Sequence, residues 1–338
     1  MPTTLVYVSC ADSGELRAYR LDAARGALEP VQQLQPGGKL MPMAVSPDRR
    51  RLFVARRTDP LQALAFEIDP ASGRLSPLGA GPLPHSMANI SVDPSGGFLF
   101  SASYGGNQIA VSPIGVDGVV SQALAVLPTG PHAHCIATDP SGRFLLATSL
   151  GGGVVMQYHF DADTGKVWPN AVPELQPHQG ASPRHFVFSA DARLVYLINE
   201  LDAAIDVLAF DADSGTLRTL QTVSSLPAGF SGDPWASDLH LSPDGRFLFS
   251  SERRSNTLAT FAVDAASGLL SPLAHTPTET QPRGFALTPD GAFLIAAGEV
   301  SNRLSVYRIT PSSGALTLAS TCATGQGPNW IETLDLAA

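Results

Sequence analysis

HLSPDGRFLFSS, residues 240–251, reads as two short apolar runs joined by a Pro-Asp-Gly turn, and it is one of six similar copies in the chain. The others are AVSPDRRRLFVA (44–55), SVDPSGGFLFSA (91–102), ATDPSGRFLLAT (137–148), VFSADARLVYLI (187–198) and ALTPDGAFLIAA (286–297). Anchored on the proline, or on Ala190 in the fourth copy, they stand at positions 47, 94, 140, 190, 243 and 289. A second phrase, D-x-x-S/T-G-x-L in most copies, runs out of phase with the first around Gly26, Gly73, Gly118, Gly165, Gly215, Gly268 and Gly314. Between these turns lie apolar runs of strand length, so each repeat reads as strand A, the SPDG turn, strand B, a short turn, strand C, the DxxSG turn and an outer strand D. Four antiparallel strands every 45 to 50 residues or so are the signature of a β-propeller blade.

The chain ends explain why the second phrase occurs once more than the first. The N-terminal stretch supplies strands B, C and D (LVYVS, ELRAYRL, ALEPVQQL) without an A strand, and GPNWIETLDL near the C-terminus supplies a lone A strand. Joined, they complete a seventh blade, which stitches the ring and removes an exposed edge. The expected fold is all-β: a seven-bladed β-propeller of four-stranded antiparallel blades, closed by N-terminal strands pairing with the C-terminal strand. Residues 1–338 are expected to form this single domain.

Composition agrees with that reading and narrows the function. The 338 residues would suit about two ordinary domains, but one closed ring accounts for them. Hydrophobic residues make up 44% and charged ones 15%, the latter below the roughly 25% usual in soluble domains. The 31 glycines and 28 prolines argue against long helices, and the apolar content argues against disorder. A net charge of −9 repels phosphate backbones and anionic lipid, so neither nucleic acid nor membrane is an expected partner. Lys39 and Lys166 are the only lysines and sit in no phosphate-binding loop, which leaves arginines as the working cations. Cys10, Cys135 and Cys322 are odd in number and scattered, fitting a reducing compartment. The opening MPTTLVYVSC lacks a basic, signal-like segment, and no window offers about 18 apolar residues. A cytoplasmic location follows as the expectation, with the chain a monomer or weak dimer.

In a propeller the start of strand A and the end of strand B meet at one mouth of the central channel. Six residues before the anchor stand Met41, Ala88, His134, Arg184, Ser237 and Arg283; five before stand Pro42, Asn89, Cys135, His185, Asp238 and Gly284. Ten after stand Arg57, Tyr104, Leu150, Glu200, Arg253 and Glu299. The apolar framework repeats while these slots do not, and packing does not explain that variation. Blades three to six thus supply His134, Arg184, His185, Glu200, Asp238, His240 and Arg283, a set suited to acid–base work on an anionic substrate.

Each residue also has a plainer reading. His134 and His185 could cap inner strands, and Glu200 could form a structural ion pair with Arg184 as readily as act as a catalytic carboxylate. The X-Pro-Arg pattern at Arg184 and Arg283 could be blade architecture, although five of the seven blades lack it, which favours anion binding. His240 shares a strand side with Asp238 and reads as a supporting residue. His132 can reach the same mouth, and Asn89 occupies its slot in blade two. His85, His159, His178 and His275 fall off the slots and read as surface residues, the DxxSG acids as turn formers, and Cys135 as structural.

The segments GPHAHC, SPRHFVFS, LINE, DPWASDLHLSPDGRFLF, TETQPRGFALTPDG and TGQGPNW resemble the seven-bladed propeller lactonase family, most closely its bacterial 6-phosphogluconolactonase branch, over essentially the whole chain. The resemblance implies hydrolysis of 6-phospho-D-glucono-1,5-lactone to 6-phosphogluconate in the oxidative pentose phosphate route. Roles ascribed to one histidine, a carboxylate and two arginines in the related fungal carboxymuconate cyclase fall on His134 (or His132), Glu200, Arg184 and Arg283, with His185 matched through the PRH motif. One stretch departs from the pattern: SLGGGV (149–154) has glycines where many relatives carry a charged side chain. The expected catalytic set is His134, Glu200, Arg184 and His185; the expected substrate-binding set is Arg283, His132, Asp238, His240 and Asn89. Glu200, or a histidine held by it, would take the proton of water, a neighbouring histidine would return one to the leaving oxygen, and the arginines would divide the carbonyl and phosphate ends. No cofactor or metal is expected. The competing readings are a lactonase or lactonizing cyclase acting on another sugar lactone or a carboxymuconate-type substrate, and a non-enzymatic propeller scaffold.

Overall fold

A computed structural model describes residues 3–336; the remaining positions of the expected 1–338 domain, 1, 2, 337 and 338, lie outside the described residues. Twenty-eight strands form seven four-stranded sheets. Six are consecutive in sequence, with inner strands Leu40–Val45, Asn89–Val92, Ala133–Thr138, Pro183–Phe188, Ala236–Leu241 and Pro282–Leu287 in blades one to six. The seventh joins the inner strand Pro328–Asp335 to the N-terminal strand Thr4–Cys10, in an antiparallel register that pairs Leu5 with Leu334, Tyr7 with Glu332 and Ser9 with Trp330. The split closing blade is therefore as the repeat count required.

Both repeated phrases have local causes. In the SPDG turn the residue before the anchor offers a side-chain oxygen to the N–H at or beside the start of strand B. Asp93 accepts from Phe98 at 2.7 Å, Asp139 from Phe144 at 2.8 Å, Ser242 from Phe247 at 3.0 Å and Thr288 from Phe293 at 3.0 Å. Ser189 does the same for Leu194 at 3.0 Å, which is why the fourth copy turns without its proline. In the DxxSG turn the aspartate accepts backbone N–H groups, as Asp69 does from Ser72 at 2.7 Å and Asp264 from Ser267 at 2.8 Å, so these acids are turn formers.

The core is divided between the blades. Seven apolar clusters each join two neighbouring sheets, for example Phe98, Phe100 and Ala102 against Ile136, Leu145 and Ala147. The turn glycines seal these layers. Gly73 has φ +71, and a Cβ there would stand 1.9 Å from Leu5 Cδ1 of the closing blade, whereas Gly245 at the same φ has nothing within 4 Å. Gly73→Ala is therefore expected to cost about 2–4 kcal/mol, from backbone strain and overpacking together, and Gly245→Ala only about 1 kcal/mol. Urea unfolding of the two variants checks the difference.

Candidate functional site

The inner strands do not enter the ring smoothly. The register slips between Leu40 and Met43, Ala133 and Ile136, Pro183 and His185, Ala236 and Leu239, and Pro282 and Gly284. Such a bulge adds a residue on one strand and re-aims side chains. It lies where His134, Arg184, Ser237 and Arg283 stand. Proline can begin the strands of Arg184 and Arg283 because a first residue need not donate to the ladder.

A buried charge cluster lies beneath the mouth. Glu200 Oε2 accepts from Arg184 Nε at 2.8 Å and from Arg253 Nη2 at 2.9 Å, and Trp235 Nε1 reaches Glu200 Oε1 at 3.3 Å. Arg184 also donates to the carbonyl of Ser237, and Arg253 to those of Trp235 (3.0 Å) and Ala236 (2.9 Å), with its guanidinium 3.8 Å from the centre of the Trp235 ring. Arg184 is 2% exposed, Arg253 4% and Glu200 8%. Burial pushes the Glu200 pKa up, but the charges of Arg184 and Arg253 more than reverse it, so this carboxylate stays ionised and weakly basic. The structural ion pair is present, and it has a second arginine.

Above it sit the histidines. His185 Nδ1 lies 2.8 Å from Asp238 Oδ1, and His240 Nε2 lies 3.3 Å from Asp238 Oδ2. A carboxylate only accepts, so Nδ1 carries the His185 proton and Nε2 keeps its lone pair. That nitrogen is 3.4 Å from Arg184 Nη1. Burial, and then the charge of Arg184, lower the His185 pKa to about 4, leaving the ring neutral near pH 7. Burial would likewise discharge His240, but Asp238 overcomes this and raises its pKa. His134 is 4% exposed, its ring centre 5.0 Å from that of His185, and its buried Nδ1 has no hydrogen-bond partner. Its pKa is held well below the usual histidine range by burial first, then by the charge of Arg184, with His185, Arg283 and Arg253 acting in the same direction. A buried polar atom without a partner calls for one.

The other expected residues divide. Arg283 pairs with Glu299 at 3.2 Å and lines a recess of about 490 Å³ with Trp235, Gln281 and Glu299, within the size range of small-ligand pockets. His132, at φ +62, stacks on Tyr104 with ring centres 4.1 Å apart, and Tyr104 meets His134 edge-on at 6.1 Å. A Cβ at Gly151 would stand 2.8 Å from His132 Nδ1, so the glycine that departs from the family pattern leaves room for this stack. Asn89 is buried and its Oδ1 accepts the N–H of Ile136, tying blade two to blade three. His240 lies deeper, where Asp238, His240, Trp330 and Glu332 line a second recess of about 310 Å³ near Pro243 and Pro289. The thiol of Cys135 is buried, and burial pushes it up to about 12. Among the described residues no three His, Cys, Asp or Glu side chains form a group suited to a metal ion.

The four histidines read as surface residues need correction: all are half-buried. His178 is held between Asp202 (2.8 Å) and the fully buried Asp206 (3.0 Å), because a loop imidazole there satisfies a carboxylate that the strand pattern buries. Sequence reasoning passed over Arg253, although it shares the slot of Glu200 in the next blade. It also missed Trp330 and Glu332. They occupy the Asp238 and His240 positions of the closing strand, which carries no SPDG phrase and so dropped out of the repeat alignment.

Glu332 has a consequence for stability. Trp330 Nε1 donates to it at 2.8 Å, and burial raises its pKa from 4.5 to about 7. The folded protein thus keeps this proton to higher pH than the unfolded chain does. Its contribution is complete below about pH 4.5 and is lost as the pH rises through about 7. Glu332→Gln is expected to remove that loss, and chemical unfolding at pH 5 and pH 8 measures it.

Comparison with known proteins agrees with the fold. Residues 5–333 match the family model described as "Lactonase, 7-bladed beta-propeller". The 6-phosphogluconolactonase of Pectobacterium carotovorum is 39% identical over 332 residues, covering 98% of this chain and 99% of its own. That of Serratia proteamaculans is 38% identical, covering 98% of each. The solved periplasmic gluconolactonase of Pseudomonas aeruginosa superposes with a TM-score of 0.90 at 30% identity, over 99% of this chain and all of that one. Closed by its split seventh blade, the chain belongs to the seven-bladed β-propeller lactonase family.

Proposed function

We propose that this enzyme hydrolyses 6-phospho-D-glucono-1,5-lactone to 6-phosphogluconate at the mouth occupied by His134, His185, Arg184, Glu200 and Arg283. One observation carries the reading. In a protein of net charge −9, a neutral histidine oriented by Asp238 stands beside an unpartnered imidazole nitrogen, with the guanidinium groups of Arg184, Arg253 and Arg283 gathered around them. The relatives named 6-phosphogluconolactonase supply the substrate.

Hydrolysis requires water to lose a proton as it attacks the carbonyl, and the ring oxygen to gain one as it leaves. His185 Nε2 takes the first proton, with Asp238 holding the ring and stabilising the imidazolium; the same proton then passes to the leaving oxygen. His134, a neutral imidazole whose single proton sits on Nδ1, and the outer edge of Arg184 stabilise the oxyanion. Positioned acid–base groups supply about 10²- to 10⁴-fold, and preorganised donors a comparable factor. Glu200 fixes Arg184 and Arg253 and takes no proton, since both of its oxygens are engaged and its pKa is lowered. His132 and Tyr104 form the apolar side of the mouth, while His240 supports Asp238.

The substrate is the only partner proposed, with neither nucleic acid nor membrane. A cytoplasmic setting is proposed on three free cysteines and the pathway of the related enzymes. Freshly generated phosphorylated lactone is the test: hydrolysis well above the spontaneous rate is expected, and a rate equal to background would overturn the reading.

A further inference from the structure

Three of the mouth arginines have a carboxylate: Arg184 and Arg253 share Glu200, and Arg283 has Glu299. Arg57 has none. It follows the second strand of blade one, Arg51–Arg56, in the slot that Glu200, Arg253 and Glu299 fill in blades four to six. It is half-buried, with Nε donating to Ser86 Oγ at 2.9 Å and Nη1 3.1 Å from Met41 Sδ, and no carboxylate of the described residues lies within 4.0 Å of it. These neutral contacts fix the guanidinium without neutralising it.

Its charged neighbour is another cation. Burial first, then the charge of Arg283, lower the Arg57 pKa, and Glu299 offsets this only in part. Blade seven lies between blades one and six at this point, and its inner strand begins with the uncharged Pro328, Asn329 and Trp330. Asn329 is turned into the backbone, its Nδ2 donating to the Gly327 carbonyl at 2.9 Å. The charge of Arg283 thus reaches Arg57 across this uncharged inner strand, one guanidinium having a single carboxylate partner and the other none; the acid that blade seven brings to the Arg283 recess, Asp12, is 60% exposed. A desolvated, unpaired charge beside a like charge is costly, unless an anion joins them. Paired guanidinium groups suit the oxygens of a phosphate monoester.

We propose that Arg57 and Arg283 together grip the phosphoryl group of the substrate, so that Arg57 sets the preference for a phosphorylated over a neutral sugar lactone. The assignment rests on the lactonase reading above. It places the phosphate toward blades one and six and leaves the lactone ring over His134 and His185 in blades three and four.

The test compares wild type, Arg57→Met and Arg57→Lys on 6-phosphogluconolactone and on unphosphorylated gluconolactone. Arg57→Met is expected to lower the ratio of kcat/KM for phosphorylated to neutral lactone by about 10- to 100-fold, the usual scale of a charge-assisted contact. The effect should fall mainly on KM, and Arg57→Lys should restore part of it. Because an unpaired charge is removed, the thermal midpoint of Arg57→Met should equal or exceed that of wild type in buffer without phosphate. Equal losses on both lactones, or an unchanged ratio, would overturn the assignment while leaving the lactonase reading intact. A wild-type protein that hydrolyses neither lactone would overturn both.

Discussion

His185→Gln is expected to lower kcat for the lactone by about 10²- to 10⁴-fold with little change in the unfolding midpoint. Glutamine can still donate to Asp238, which lies 2.8 Å from the imidazole, but offers no nitrogen lone pair to take a proton from water. The pH profile gives the same test by another route. With its pKa at about 4, His185 is a competent base above that value and is lost below it. In the wild type, kcat/KM should therefore fall as the pH drops through about 4. The variant should have no such limb. Asp238→Asn should resemble His185→Gln in rate, because the amide can stabilise the wrong tautomer.

Glu200→Gln is expected to damage stability as much as activity. The carboxylate holds two guanidinium groups that are each less than 5% exposed. Removing its charge leaves them buried together and unpaired, a loss of about 3–5 kcal/mol in comparable buried pairs. Guanidinium unfolding of the variant should show it. Arg253→Met in the same chain should recover part of the stability, because it removes one of the stranded charges; the double variant should remain slow, because Arg184 has lost its anchor. A Glu200→Gln enzyme with normal stability and a vanished acid limb in its pH profile would instead make Glu200 the base and His185 a support.

What could be read from the sequence was what local chemistry writes into each repeat. The oxygen-bearing residue before each anchor and the positive-φ glycine of the DxxSG turn are required wherever the turn forms. They recur visibly, and the fold follows from counting them. The mouth was legible for the same reason: at the start of the inner strands, side chains that packing does not need stand out against those that it does. Pairing was not legible. Nothing local tells Glu200 that its second arginine comes from the next blade, or His178 that its loop folds back onto a buried Asp206. Arg57 was visible in its slot, but its significance lies in the absence of a partner, which only the folded ring defines. The closing strand itself was legible, but ring closure replaces the SPDG turn there, so its Trp330 and Glu332 carry no repeat signature and were missed.

The central claim is that the lactone binds and reacts where blades three to six converge. A crystal structure with 6-phosphogluconate bound tests it most directly. The account predicts the carboxylate end within hydrogen-bond reach of His134 Nδ1 and the Arg184 edge, with the phosphoryl group against Arg283 and Arg57. Product seated in the deeper recess beside His240 and Glu332, or on the outer strands, with no ligand at the mouth, would contradict it.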